Sequence, residues 1–314
     1  MASIELDIWR GEWGLASIDL ECLKVLTYMK FIGVPVRVRE ASHLLFTPKG
    51  TLPVLRDGEK ALTNFEEVVD YLKSLHYSTD VHLNEKQAAE ASVYTQYLRD
   101  KLYPAYQYTW WVDERNYTEI TRPAYAKALR LPFNFYYPSK YHNAAKVMID
   151  ALYGEHTDLR EIERTLYSEA EKCLKTLSER LGESEYFFGN RPSSFDAVVF
   201  AYLAPLVKAP FPNAQLANQV KAVANLSRFV ARINQKIFRN VTDALVVSSV
   251  SRVMSVFTPR QSTTGKARSI TRRARRRSAR RHTSPTRRGT SCWRRCSRPP
   301  PWPATPSPTA CSRT

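Results

Sequence analysis

The feature that most constrains this chain is a break in composition near residue 250. From Arg252 to Thr314 it carries 16 Arg, one Lys and no acidic residue, so residues 1–251 hold 30 basic against 30 acidic groups. The body is electroneutral, and the formal charge of +17 belongs to the far segment. That segment also holds eight prolines from Pro259 to Pro308 and no periodic apolar face. Such a composition does not bury enough apolar surface to offset the entropy of ordering, so disorder is expected over 241–314. The fold must be built from the residues before it. At roughly 100–200 residues per domain, that body has room for two domains. A hydrophobic content of 43% and an aromatic content of 11% suffice for a real core. Because the basic field is confined to an appended stretch, a nucleic-acid-binding body is not expected.

The periodicities divide the body further. Residues 1–76 read β-α-β and then β-β-α. An apolar stretch from Ile4 to Trp9 precedes a Gly11/Gly14 loop, and Ser17 is expected to cap a helix with Asp19 and Glu21 in its first turn and Gly33 at its end. Val34 to Val38 is β-rich. Asp57-Gly58 between Val54-Leu55 and Ala61-Leu62 signals a hairpin, and Asn64 with Glu67 a cap on a helix to about Leu75. Beyond Asn84 the pattern is helical. One helix capped by Asn84 and Gln87 is expected to reach about Trp111 with a break at Pro104, followed by a looser 113–158 containing Pro123, Pro132 and Pro138. Leu159, Ile162, Leu166, Ala170, Cys173, Leu177 and Leu181 then step at helical spacing. Ser193 and Asp196 open an apolar helix, and a last helix covers about Ala214 to Phe238. The class is α+β then all-α, with expected domains 1–76 and 77–240 and a basic tail 241–314.

Two local motifs sharpen this order. Gly50-Thr51-Leu52-Pro53-Val54-Leu55 resembles the strand-entry motif of glutathione transferases, in which the proline is cis and the preceding backbone faces a ligand. Gly189-Asn190-Arg191-Pro192-Ser193-Ser194-Phe195-Asp196-Ala197 resembles their second-domain motif, where Ser193 and Asp196 make reciprocal cap bonds. Over about residues 4–239 the chain is similar to the metaxins. The residues that carry this are Trp9 with Gly11, Trp13-Gly14-Leu15, the Gly50 to Arg56 motif, Trp110-Trp111-Val112 with Asn116-Tyr117, Leu131 to Phe135, Gly154-Glu155-His156 and Phe187-Phe188-Gly189. The resemblance implies a glutathione-transferase-like fold, thioredoxin-like over 1–76, on the cytosolic face of the mitochondrial outer membrane. It further implies a non-enzymatic adaptor in protein import and in the sorting and assembly machinery. Its implied partners are other metaxins, the β-barrel insertase and β-barrel precursors, and membrane association runs through those partners. In one branch of the family a hydrophobic anchor follows the body, where this chain has its Arg-rich stretch, and another branch lacks an obvious anchor; an alternative exon or a shifted frame is the expected origin of the stretch.

An enzyme of the transferase type is the alternative. It needs a hydroxyl or thiol at the start of the first helix, and Ser17 is the one candidate there, with a structural cap as its competing role. Glutathione binding in transferases also uses a Ser that Asn64-Phe65 replaces with an aromatic, so no conjugation is expected. Pro53 is read as architectural. Tyr94, Tyr97, Tyr103, Tyr106, Tyr108, Trp110 and Trp111 form an aromatic cluster that is read as inter-helix core, with a partner surface around Tyr106, Trp110 and Trp111 as the competing role. No cofactor is expected. No metal site is expected either: His43, His76, His82, His142 and His156 lack ligand spacing, and Cys292, Cys296 and His282 are one ligand short. The longest apolar run, Ala197 to Val207, is well short of the ~20 residues that span a bilayer.

Overall fold

The computed structural model describes residues 4–41, 44, 47–154 and 158–238, which belong to one compact unit. The tail, where disorder is expected, lies outside the described residues.

Four strands open the fold: β1 (Ile4–Ile8), β2 (Val36–Glu40), β3 (Val54–Asp57) and β4 (Lys60–Leu62). They form one mixed sheet in the order β2-β1-β3-β4, with β2 parallel to β1 and the other pairs antiparallel. The parallel pair is joined by helix α1 (Leu20–Ile32), the crossover such a pair requires. Register is marked by Asp7, a buried carboxylate in the central strand. Arg39 of β2 grips it through Nε and Nη2 at 2.7 and 3.2 Å, and Arg56 of β3 donates at 3.1 Å. Burial raises the Asp7 pKa, but the two guanidiniums outweigh it and hold the carboxyl below its ordinary value. A slip of one residue would turn Asp7 away from both arginines.

Helix α1 buries Cys22, Leu23, Val25, Leu26, Tyr28 and Met29, so several of its faces are covered. It packs against α2 (Phe65–Ser74) and against the far α9 (Ser194–Lys208). Between them run α3 (Glu85–Lys101), α4 (Tyr103–Gln107), a wide π-type turn over Tyr108–Val112, α5 (Glu114–Asn116), a second π-type turn over Tyr117–Thr121, α6 (Arg122–Ala128), α7 (Phe133–Tyr153) and α8 (Leu159–Leu181). Helices α10 (Gln215–Ala222) and α11 (Ala224–Ile237) complete the described fold.

Helix α9 is the centre of the helical part. Every residue from Phe195 to Leu206 is buried. Its N-terminus is closed by a reciprocal box: Ser193 Oγ accepts from the Asp196 amide, and Asp196 accepts from the amides of Ser193 at 2.8 Å and Phe187 at 2.9 Å. Asp80, in the connection after α2, accepts from the Ser194 amide at 2.7 Å.

Several expectations change. The first helix is capped by Asp19 and starts at Leu20. Asn64 does cap α2, but through the Glu66 amide alone. The region 113–158, expected to be looser, is largely helical: Pro123 sits in the first turn of α6, Pro132 at the N-cap of α7, and Pro138 within α7. Prolines are tolerated at helix starts, where their missing N–H is not needed. The last helix is two, broken at Val223, whose amide already points back to Val220.

Candidate functional site

The start of α1 shapes the site. Ser17 is fully buried, and its Oγ accepts from the Asp19 amide at 3.3 Å. Expected as the N-cap, it does not fill that place: the cap is Asp19, whose Oδ1 accepts from the Cys22 amide at 3.0 Å, and the Ser17 hydroxyl is not among the groups that line the adjacent pocket. Cys22 is also buried, and burial pushes its thiol well above the usual range, so it stays protonated.

Asp19 instead opens on a pocket of about 350 Å³. Leu20 and Glu21 continue that wall from α1, and Thr51 and Leu52 approach from the loop before Pro53. The Leu52-Pro53 peptide is cis, as the motif implies. Tyr103 and Gln107 of α4, Trp111, and Tyr141 and Ala145 of α7 close the other side. The pocket thus lies between the sheet-bearing and helical parts of the unit.

Its electrostatics are one-sided. Among its lining residues Asp19 and Glu21 are the charged groups, and both are acidic. Glu21 is paired with Lys24 at 2.7 Å. Among the described residues Asp19 forms no ion pair; its second oxygen receives a long bond from the Tyr125 hydroxyl, 3.4 Å. Burial, opposed in part by the Cys22 amide, pushes its pKa up to about 6. The phenols of Tyr103, Tyr106, Tyr125 and Tyr141 are raised, first by burial and then by the charge of Asp19, with Glu21 ahead of Asp19 at Tyr103, and remain neutral.

Of the aromatic cluster, Tyr106, Tyr108, Trp110 and Trp111 belong to the core, with Tyr94, Tyr97 and Tyr103 half-buried against it. Tyr106, Trp110 and Trp111 are 2%, 1% and 5% exposed. Tyr106 and Trp110 stack at 5.3 Å, Phe211 meets Trp110 edge-on at 4.9 Å, and Tyr125 packs on Trp111 at 4.8 Å. Little of these three side chains is exposed, because they pack on neighbouring aromatic rings, and Trp111 also lines the pocket. Phe65 is buried too, edge-on to Tyr28 at 5.9 Å. Ser193 and Asp196 form the cap expected of them. Asp19, expected only in the first turn of α1, is the cap itself, and the signal for it is that Asp is among the favoured N-cap residues.

Among the described residues no group of three His, Cys, Asp or Glu side chains is placed to hold a metal. No helix there is long and apolar enough to cross a membrane. His43, His156, His282, Cys292 and Cys296 lie outside the described residues.

Comparison with known proteins agrees with this geometry. Residues 22–142 match the family model described as outer mitochondrial membrane transport complex protein. Residues 170–233 match that of the glutathione S-transferase C-terminal domain. The β-etherase LigF from Sphingobium sp. strain SYK-6 shares the fold with a TM-score of 0.52, at 15% identity over 76% of this chain and 99% of that one. Metaxin-1 of Bos taurus is 38% identical over 235 residues, 74% of either protein. Metaxin-3 of Xenopus laevis is 37% identical over 73% of this chain and 75% of its own length. With a glutathione-transferase-like fold and this degree of identity across most of its length, the chain belongs to the metaxin family.

Proposed function

We propose that the protein acts at the mitochondrial outer membrane, on its cytosolic face, as a non-catalytic adaptor in protein import and β-barrel assembly. In this reading it joins other metaxins and the β-barrel insertase, helps pass β-barrel precursors, and associates with the membrane through those partners. Residues 1–76 act as the thioredoxin-like part and 77–240 as the helical part. The observation that carries the reading is the identity to metaxins at 38% over 74% of the chain, joined to a family model of outer-membrane transport proteins. A tagged pull-down from gently solubilised mitochondria tests it, with the full chain beside one ending at Val250. Recovery of a second metaxin and the insertase by both is expected; recovery by neither rejects the reading.

An active glutathione transferase is the competing reading, favoured by the cis-Pro53 loop beside the pocket. It is opposed by the burial of Ser17, which keeps that hydroxyl off the pocket, and by Phe65, which carries no hydroxyl to offer a ligand. The acidic lining also repels a ligand of net negative charge such as glutathione. Incubation with glutathione and a chlorodinitrobenzene electrophile should give no turnover above the uncatalysed rate.

A further inference from the structure

An unpaired carboxylate facing aromatic walls is the receptor chemistry of an organic cation. In the pocket between α1, the Pro53 loop, α4 and α7, Asp19 supplies the anion, and Tyr103, Trp111 and Tyr141 supply aromatic side chains to the lining. No Lys or Arg is among the lining residues. The nearby Lys24 is committed elsewhere: it pairs with Glu21 and sits 5.2 Å over the Tyr202 ring. Arg99 lines a neighbouring cleft. A helix N-terminus ordinarily attracts anions, but the first turn of α1 already holds two carboxylates, Asp19 and Glu21.

We infer that this pocket binds an alkylammonium group, presented either by a small amine or by a lysine side chain of a polypeptide, with Asp19 as counter-ion and Tyr103, Trp111 and Tyr141 as its aromatic walls. The physical reasons are additive. A carboxylate withdrawn from water gains more from an arriving cation than a solvated one does. Aromatic faces attract the same charge, most strongly when it is desolvated. A cavity of about 350 Å³ is at the small end of ligand pockets and suits a side-chain-sized guest.

The charge of Asp19 also sets how binding depends on pH. The groups facing it are Glu21, Cys22 and Lys24 of α1, Tyr103 and Tyr106 of α4, Tyr125 of α6 and Tyr141 of α7. Its neighbours' thiol and phenols are shifted up and stay neutral through the physiological range. With its own pKa at about 6, Asp19 is mostly ionised at neutral pH and loses its charge on acidification.

The test is a titration of the isotopically labelled full-length protein with phenethylamine and with N-acetyl-lysine amide, followed by NMR. Glutathione and phenylethanol serve as anionic and neutral comparators. Asp19→Asn is the decisive variant, because Asn keeps a good helix cap while removing the charge; Tyr141→Leu removes one aromatic wall. Expected are saturable shifts for at least one amine below about 10 mM, weakened roughly tenfold or more by Asp19→Asn and severalfold by Tyr141→Leu. Binding should also weaken as pH falls from about 7.5 to 5. The tighter of the two amines identifies the source of the ammonium group. Absence of any amine binding to the folded protein overturns the inference, as does equal affinity in Asp19→Asn or binding of phenylethanol as tight as that of phenethylamine. These readouts are independent of the pull-down, so the adaptor reading and the pocket stand or fall separately.

Discussion

At the scale of single residues, Asp19 shows how a local cap becomes a chemical group. Its folded pKa is about 6 against an ordinary value of 3.8. Between those two values the folded protein holds a proton that the unfolded chain has released, so the contribution of Asp19 to stability is present below pH 3.8 and is lost as pH rises through 6. Asp19→Asn fixes the neutral form. The variant should therefore match the parent near pH 4 and become more stable by about 1 kcal/mol near pH 7.5, less than the full shift implies because the carboxylate opens on a pocket. Thermal melts of both proteins across pH check this; a constant difference between them would refute it. Tyr106 gives a second residue-scale case. Among the described residues its hydroxyl has no hydrogen-bond partner, and burial drives its pKa well up. Removing an unpaired buried hydroxyl relieves a desolvation cost, so Tyr106→Phe should be neutral or stabilising by up to ~1 kcal/mol in urea denaturation. A loss of about 2 kcal/mol would mean that the hydroxyl is bonded.

Elements were legible where a local signal and burial agree. Helix α8 repeats its apolar step over six turns, and Ser193 with Asp196 announces α9, so both appear where the residues alone put them. The start of α1 was misplaced because Ser17 and Asp19 are both good caps two residues apart; only packing decides between them, and it buries Ser17 against the loop. The stretch 113–158 escaped for a different reason. Pro123 and Pro132 sit where helices begin, Pro138 is carried inside α7, and the π-type turn over Tyr117–Thr121 breaks the 3.6-residue period that reveals a helix. The pocket was invisible because its walls come from residues 19, 51, 103, 111 and 141, which no spacing rule connects. The α9 cap carries the prediction at this scale. Asp196 is wholly buried and receives the amides of Phe187 and Ser193. Asp196→Ala leaves both donors unpaired in the core and should cost about 3 kcal/mol, seen as a lower urea midpoint with an unchanged slope. Asp196→Asn, which can still accept one bond, should lose less.

For the whole molecule the governing fact is that charge and fold are separated along the chain. All 30 acidic residues lie in residues 1–251 and are balanced there by 30 basic ones, while the 17 remaining basic residues follow. Within the body the charges are used locally: Asp7 with Arg39 and Arg56 across the sheet, Lys101 with Glu169 between α3 and α8, and Arg180 with Glu90 between α8 and α3. Burial barely touches Glu169, yet Lys101 and Lys172 hold its carboxyl down to about 2, so it stays ionised over any working pH. A body whose charges are paired in place has little field left over for polyanions. Any such affinity should belong to the segment after Val250, and it should act through counter-ion release alone. The expected result is that the full chain is retained on heparin at low salt and released steeply as salt rises, while the chain ending at Val250 passes through with its thermal midpoint unchanged. Retention of the truncated chain would show that the body itself presents a basic face, and a lowered midpoint would show that the segment contributes to the fold.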